Sequence, residues 1–284
     1  MKILLATETF YPAVDGTTTT IKATVDRLVD LGHEVRIVAP GPGLASYRGC
    51  AVVRTRPLEP AGPQLRAAIE TFGPDLVQAH SPRTIGRKAL KHARRAGVPT
   101  LAVEQSAVLD LSADYWRAKI VERADTVLVT SPWMVERAAE LGVDAGLWEP
   151  GVDTAAFTPA LRDQWLHNSW ARAKSRDGAS VVVGYVGGLH KPAGVRRLAA
   201  VASIPGIRLV VIGAGPERDW LAKRLPQARF TGPLATGDLT VAMPTLDVLV
   251  HPGEHETDAH ALREAAASGV PVVAPRAGGA RDVV

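Results

Sequence analysis

Short apolar runs alternate along this chain with stretches whose apolar positions recur at helical spacing. Lys2 to Ala6, Val35 to Ala39, Ala51 to Thr55, Asp75 to His80, Thr100 to Val103, Thr126 to Thr130 and Asp144 to Trp148 read as strands. Between them, a helix opening near Thr18 carries Ile21, Val25, Leu28 and Val29 on one face and stops at Gly32. Further helices are expected over Gln64 to Phe72, Arg83 to Arg95 and Pro132 to Leu141. Leu161 to Ser180 is polar and irregular, which predicts a linker or a short helix. The alternation then resumes with the strand opening at Val181, the helix Val195 to Ala202 and the strand Arg208 to Ile212. Leu246 to Val250 leads through a polar turn to a helix over Asp258 to Ser268, closed by Gly269, and a final apolar run, Val270 to Ala274.

Strand, loop, helix, strand is the unit of a parallel sheet covered by helices. Two series of such units, separated by a polar stretch, predict two α/β domains, placed at 1–153 and 154–284. A length of 284 residues fits this division. Composition adds that cores can form, since 46% of residues are hydrophobic. The net charge of +4 is mild and scattered, so nucleic acid gains little support as a partner. The exception is RTIGRKALKHARR from Arg83 to Arg95, which reads either as a solvated face or as a contact for an anionic surface. A single cysteine, Cys50, excludes an internal disulfide and suits a reducing compartment. MKILLATETF is too short an apolar run for a secretion signal, and no run reaches the roughly 18 residues of a membrane span. These features predict a cytoplasmic protein.

Candidate chemistry concentrates in HPGEHETDAHALREAAASGVPVVAPRAGG, from His251 to Gly279. Glu256 sits before the expected helix and Glu264 lies eight residues on, about two turns away and on nearly the same face. Ionised carboxylates accept paired hydroxyl bonds, and a helix start presents N–H groups to an anion. The spacing alone fits equally well two solvated glutamates on an amphipathic helix. His80 ends a strand, where open parallel sheets place ligands, although a lone histidine is more often structural. The first strand lacks GxGxxG, and Gly213 with Gly215 makes only a weak nucleotide loop.

The flanking text narrows the reading. HPG, ASGVPVVA and AGG around the two glutamates, DLVQAHSP ahead of the basic helix, and WEPGVDTAAF with Gly151, Val152, Asp153 and Phe157 occur in the order seen in one family. The chain resembles the family 4 retaining glycosyltransferases. The resemblance implies an α/β fold of GT-B type: two Rossmann-like, doubly wound parallel-sheet domains with an interdomain cleft, here apparently shortened at the C-terminus. It implies that the first domain handles the acceptor and the second the nucleotide sugar. Glu256 would bind hydroxyls of the transferred sugar, Glu264 the ribose, and the helix start at Thr257, Asp258 and Ala259 would lie beside the diphosphate. Gly16, Gly187, Gly188, Lys191, Gly213 and Gly232 complete the implied donor set. His80, Glu104 and Gln105 are implied on the acceptor side, and His80 and Glu256 are the implied catalytic residues.

The resemblance frays at one loop. Relatives read like G-R-L-x-x-E-K-G where this chain has Gly187 to Gly194, so Gly188 stands at the arginine and Ala193 at the lysine that neutralise the diphosphate. Asp258 adds a negative charge where phosphate is expected; Lys191, His190 or Arg276 is the available replacement cation. The text is closest to GDP-mannose-dependent mannosyltransferases, which makes GDP the first nucleotide to test. The implied activity is metal-independent hexosyl transfer from a nucleotide-diphosphate sugar to a hydroxyl of a small-molecule, sugar or lipid acceptor. No cofactor is expected, the nucleotide sugar being a substrate, and association with a membrane surface gains only weak support. The alternative is a non-catalytic GT-B scaffold that has lost its donor site. A phosphorylase or epimerase on this fold rests on analogy alone.

Overall fold

The computed structural model describes residues 1–13, 15–171, 181–201 and 203–284. The chain divides into two units, Met1–Pro150 and Gly151–Val284. The first contains β1 (Lys2–Thr7), α1 (Gly16–Asp30), β2 (Glu34–Pro40), β3 (Ser46–Tyr47), β4 (Cys50–Thr55) and α2 (Ala61–Phe72). It continues with β5 (Leu76–His80), α3 (Ile85–Arg95), β6 (Thr100–Glu104), α4 (Asp110–Lys119), β7 (Thr126–Val129), α5 (Pro132–Glu140) and β8 (Gly146–Leu147). The strands form one sheet in the order β3-β4-β2-β1-β5-β6-β7-β8, parallel except for the β3–β4 pair.

The continuous apolar runs are explained by burial on both faces of the sheet. In β1, Leu4 and Ala6 pack with Leu65, Ile69 and Ala89 of α2 and α3. Leu5 points the other way, to Ile21 and Val25 of α1. Each fully buried leucine or isoleucine contributes about 1.5–3 kcal/mol. Asp15 caps α1 by accepting from the Thr18 N–H at 2.8 Å, and Ser131 caps α5 through the Met134 N–H.

The second unit contains α6 (Gln164–Ala171), β9 (Val181–Val186), α7 (Leu198–Val201), β10 (Ile207–Ile212), α8 (Arg218–Arg224) and β11 (Arg229–Gly232). It ends with α9 (Thr236–Ala242), β12 (Val248–Val250), α10 (His260–Ala267) and β13 (Val272–Val273). Its sheet is parallel, in the order β11-β10-β9-β12-β13. Val182, Val210 and Ile212 face Trp170, Leu249 and Leu262, whereas Val183, Tyr185, Leu209 and Val211 face Leu198 and Leu221. Gly184 leaves room inside β9 for Leu246, whose side chain a Cβ there would strike.

Of the two readings of Leu161 to Ser180, a linker or a short helix, the described residues show the short helix α6, with Trp170 and Ala171 buried against the sheet. Two expectations change. The helix expected from Asp258 begins at His260, because Ala259 takes a left-handed backbone at φ 51. The helix expected from Val195 opens as a 3-10 turn over Val195–Arg197 before α7, and its end at 202 lies outside the described residues.

Candidate donor site and the strand ends of the first unit

In each sheet the strand order reverses at one point, between β1 and β5 in the first unit and between β9 and β12 in the second. Loops leaving the carboxyl ends of such strands diverge and open a crevice, the usual ligand position in open parallel sheets. The loops after β9 and β12 carry most of the expected donor residues.

Backbone packing fixes the β9 loop. Gly187 N–H donates to Ile212 O at 3.0 Å, Leu189 N–H to Ala214 O at 2.8 Å, and Gly213 N–H to Gly232 O at 2.9 Å. A Cβ on Gly213 would fall inside the Gly187 carbonyl, and one on Gly215 inside the Leu189 carbonyl. Both glycines also have positive φ, 142° and 156°. Gly213 and Gly232 therefore knit the loops after β9, β10 and β11 together through their backbone. The Tyr185 hydroxyl donates to Gly188 O at 2.9 Å. Gly188 and Lys191 are exposed at the loop's outer edge.

Glu256 is held by its own loop. Its Oε1 accepts from the N–H of Thr257 at 3.1 Å and of Ala259 at 3.0 Å, and its backbone oxygen accepts from Gly279 N–H at 2.7 Å. Oε2 lies 3.1 Å from His251 Nε2, off the line of a hydrogen bond, which makes a close electrostatic contact when His251 is protonated. Burial alone would lift this carboxyl. His251 and the Ala259 and Thr257 N–H groups overturn that and hold it at about 2. Glu256 is thus ionised over the physiological range. The Thr257 and Ala259 N–H groups expected beside a diphosphate are directed at Glu256 instead. Asp258 is buried, its Oδ2 3.7 Å from His260 Nε2.

Glu264 is the opposite case. It lies on α10, half-buried, and among the described residues no group hydrogen-bonds or ion-pairs with its carboxyl. Burial without a compensating donor pushes it up to about 7. The two glutamates thus sit in contrasting environments, one already accepting two N–H groups on Oε1 and one with no donor among the described residues.

In the first unit, His80 is completely buried at the end of β5. Gln78 Nε2 lies 2.8 Å from its Nε2 and Gln105 Oε1 2.9 Å from its Nδ1, while the Trp148 ring meets it edge-on at 6.1 Å. Burial drives its pKa down to about 4 despite the Gln105 bond. The ring is neutral, with Nε2 accepting from Gln78 and Nδ1–H donating to Gln105, so His80 offers no free ring nitrogen in this arrangement. Glu104 is also engaged: Oε2 accepts from Trp116 Nε1 at 3.0 Å and Oε1 from Ser106 N–H at 3.1 Å. Gln105 is nearly buried beside it. Gly16 is exposed at the first position of α1.

Sequence reasoning missed His251 as the partner of Glu256, although the HPG text contains it, and Tyr185 as the support of Gly188. It also missed Arg197, whose Nη1 donates to Pro252 O at 2.9 Å and whose Nη2 lies 2.9 Å from Glu254. Nothing in local spacing marks a contact between residues 55 apart.

Comparison with known proteins places these features. Residues 14–156 match the sequence family described as Glycosyltransferase Family 4, and residues 180–284 match Glycosyl transferases group 1. A GDP-mannose-dependent alpha-mannosyltransferase of Mycolicibacterium smegmatis is 36% identical over 312 aligned positions, spanning 100% of this chain and 82% of that protein. The enzyme of the same name from Corynebacterium glutamicum is 32% identical, spanning 100% of this chain and 74% of that protein. Among solved structures, HepE of Anabaena with UDP and glucose superposes with a TM-score of 0.78 at 19% identity, covering 100% of this chain and 83% of that one.

Proposed function

The chain belongs to glycosyltransferase family 4 and has the GT-B fold, and from that premise we propose that it is a retaining hexosyltransferase using a GDP-sugar. The observation that carries the donor assignment is Glu264, a half-buried carboxyl without a donor partner among the described residues, on the helix that leaves the switch-point loop. Ribose hydroxyls would supply the missing hydrogen bonds, and each bond to a charged acceptor contributes about 1.5–3 kcal/mol. Glu256, ionised and rigidly held, would accept hydroxyls of the hexose through its remaining lone pairs. Support for GDP comes from the two mannosyltransferases, which are named for GDP-mannose.

In the proposed reaction the acceptor oxygen bonds to C1 of the hexose on the face from which the C1–O bond to phosphate breaks. The acceptor proton passes to an oxygen of the departing diphosphate, and the configuration at C1 is kept. No protein nucleophile is required. The acceptor is a hydroxyl compound, small molecule, sugar or lipid, handled by the strand ends that carry Gln105 and Glu104, with His80 orienting Gln105 through its Nδ1–H. Among the described residues no helix is long and apolar enough to cross a membrane.

The test is a calorimetric titration of GDP, UDP and ADP into the chain. GDP should bind most tightly, and Glu264→Gln should weaken it roughly ten- to hundredfold. Binding of none of the three would favour a scaffold without a donor site.

A further inference from the structure

We propose, resting on the glycosyltransferase reading above, that Glu8 binds the acceptor and that the acceptor presents uncharged hydroxyls to it, not a phosphate. Glu8 leaves β1 at the point where the strand order of the first sheet reverses. β1 and β5 pair in parallel with Thr7 opposite His80, so Glu8 and Ser81 begin the two loops that diverge there. Other polar groups at these strand ends are already occupied. Both ring nitrogens of His80 and both carboxylate oxygens of Glu104 have protein partners.

Glu8 differs from them. Its Oε1 accepts from the N–H groups of Arg83 and Gly86, each at 2.9 Å, at the start of α3. Thr84, the residue before α3, makes no side-chain cap, so Glu8 supplies one across 75 residues of sequence. Its Oε2 has no partner among the described residues, and no cation there pairs with the carboxylate. The residue is half-buried, and the chain around it is held in place. Thr7 Oγ1 donates to Thr9 O at 2.8 Å, Phe10 is buried, and Arg54 Nη2 donates to Tyr11 O at 2.6 Å. On the neighbouring strand end, Ser81 is 7% exposed and its hydroxyl has no partner among the described residues. A buried hydroxyl in that state costs stability until a ligand supplies the bond. A carboxylate oxygen accepts from hydroxyls and repels a phosphate. Glu8 also fills the helix start that would otherwise attract an anion. A neutral polyhydroxyl compound suits both features.

Glu8→Gln separates acceptor binding from capping, because the amide oxygen can still accept from Arg83 and Gly86 while the charge and the second acceptor atom are lost. The full chain and this variant would be given GDP-mannose with methyl α-mannoside or with mannose 6-phosphate. Mass spectrometry follows transfer, and calorimetry measures GDP affinity. The parent should prefer methyl α-mannoside to mannose 6-phosphate by at least about tenfold in kcat/KM. Glu8→Gln should raise the KM for methyl α-mannoside by about tenfold and narrow the preference, with GDP affinity unchanged. A parent-like KM and preference in Glu8→Gln overturns the proposal and leaves Glu8 as a cap of α3 alone; GDP binding by both proteins then keeps the donor reading intact. Preference for mannose 6-phosphate, or release of GDP with neither sugar accepted, also overturns the proposal. A parent that neither binds nor releases GDP overturns the donor reading and the proposal together.

Discussion

Replacing Glu264 by glutamine should stabilise the protein near neutral pH and cripple nucleotide binding at the same time. The folded carboxyl titrates at about 7, against an ordinary value of 4.5. A raised carboxyl contributes its full stability below 4.5 and loses it as pH rises through 7, because the unfolded chain ionises first and more easily. At full ionisation the difference is worth about 3 kcal/mol. The side chain still touches solvent, and screening brings a realistic figure to about 1.5 kcal/mol. Glutamine has no charge to desolvate, so the gain over the parent should be small near pH 5 and approach about 1.5–3 kcal/mol near pH 8. Urea unfolding at several pH values measures it. The same argument makes GDP affinity rise with pH up to about 7 in the parent, since ribose hydroxyls donate to the carboxylate form, and makes it flat in the glutamine variant. A variant no more stable than the parent near pH 8, with unchanged GDP affinity, would show that Glu264 is an ordinary solvated helix residue.

His80 is held neutral with a pKa of about 4 against an ordinary 6.5, so its share of stability is present above 6.5 and is lost as pH falls toward 4. His80→Ala should remove that acid-sensitive component and cost about 1–3 kcal/mol for each glutamine left unpaired, leaving GDP affinity intact; unfolding curves and GDP titration check both. Gly213→Ala should cost more than about 3 kcal/mol, because its Cβ meets the Gly187 carbonyl and φ is 142°; a thermal unfolding transition unchanged from the parent would refute the packing argument. Gly188→Arg should tighten GDP by about tenfold if a cation at that position reaches the diphosphate. Its Cβ would stand 2.7 Å from the exposed His190 ring, which can swing aside.

The parallel sheets were legible because buried strands are written as unbroken apolar runs and the helices between them keep a 3.6 period. Glu256 and Glu264 could be singled out by their spacing and flanking text, and they fall in the loop after β12 and on α10. What local pattern does not record is how a polar group is occupied. Glu256 and Glu264 look alike in sequence, yet one accepts two N–H groups and faces His251 while the other has no donor among the described residues. Between the linker and the short helix that the stretch from Leu161 allowed, burial of Trp170 against the sheet selects the helix, a tertiary effect that polar composition does not record. The left-handed Ala259 is held by contacts from the Glu256 carboxylate and carries no local signal such as glycine. The tie from Arg197 to Pro252 and Glu254 joins two βα loops that only the strand order makes neighbours.

The most direct test of the central claim is a time course of GDP-mannose with the chain, followed by proton NMR at the mannose C1 before mutarotation, with water as the acceptor. Retaining transfer predicts slow release of GDP with α-mannose appearing first, and loss of that release in Glu264→Gln. First appearance of β-mannose would contradict retention, and an untouched donor together with no measurable GDP binding would contradict the glycosyltransferase reading of this site.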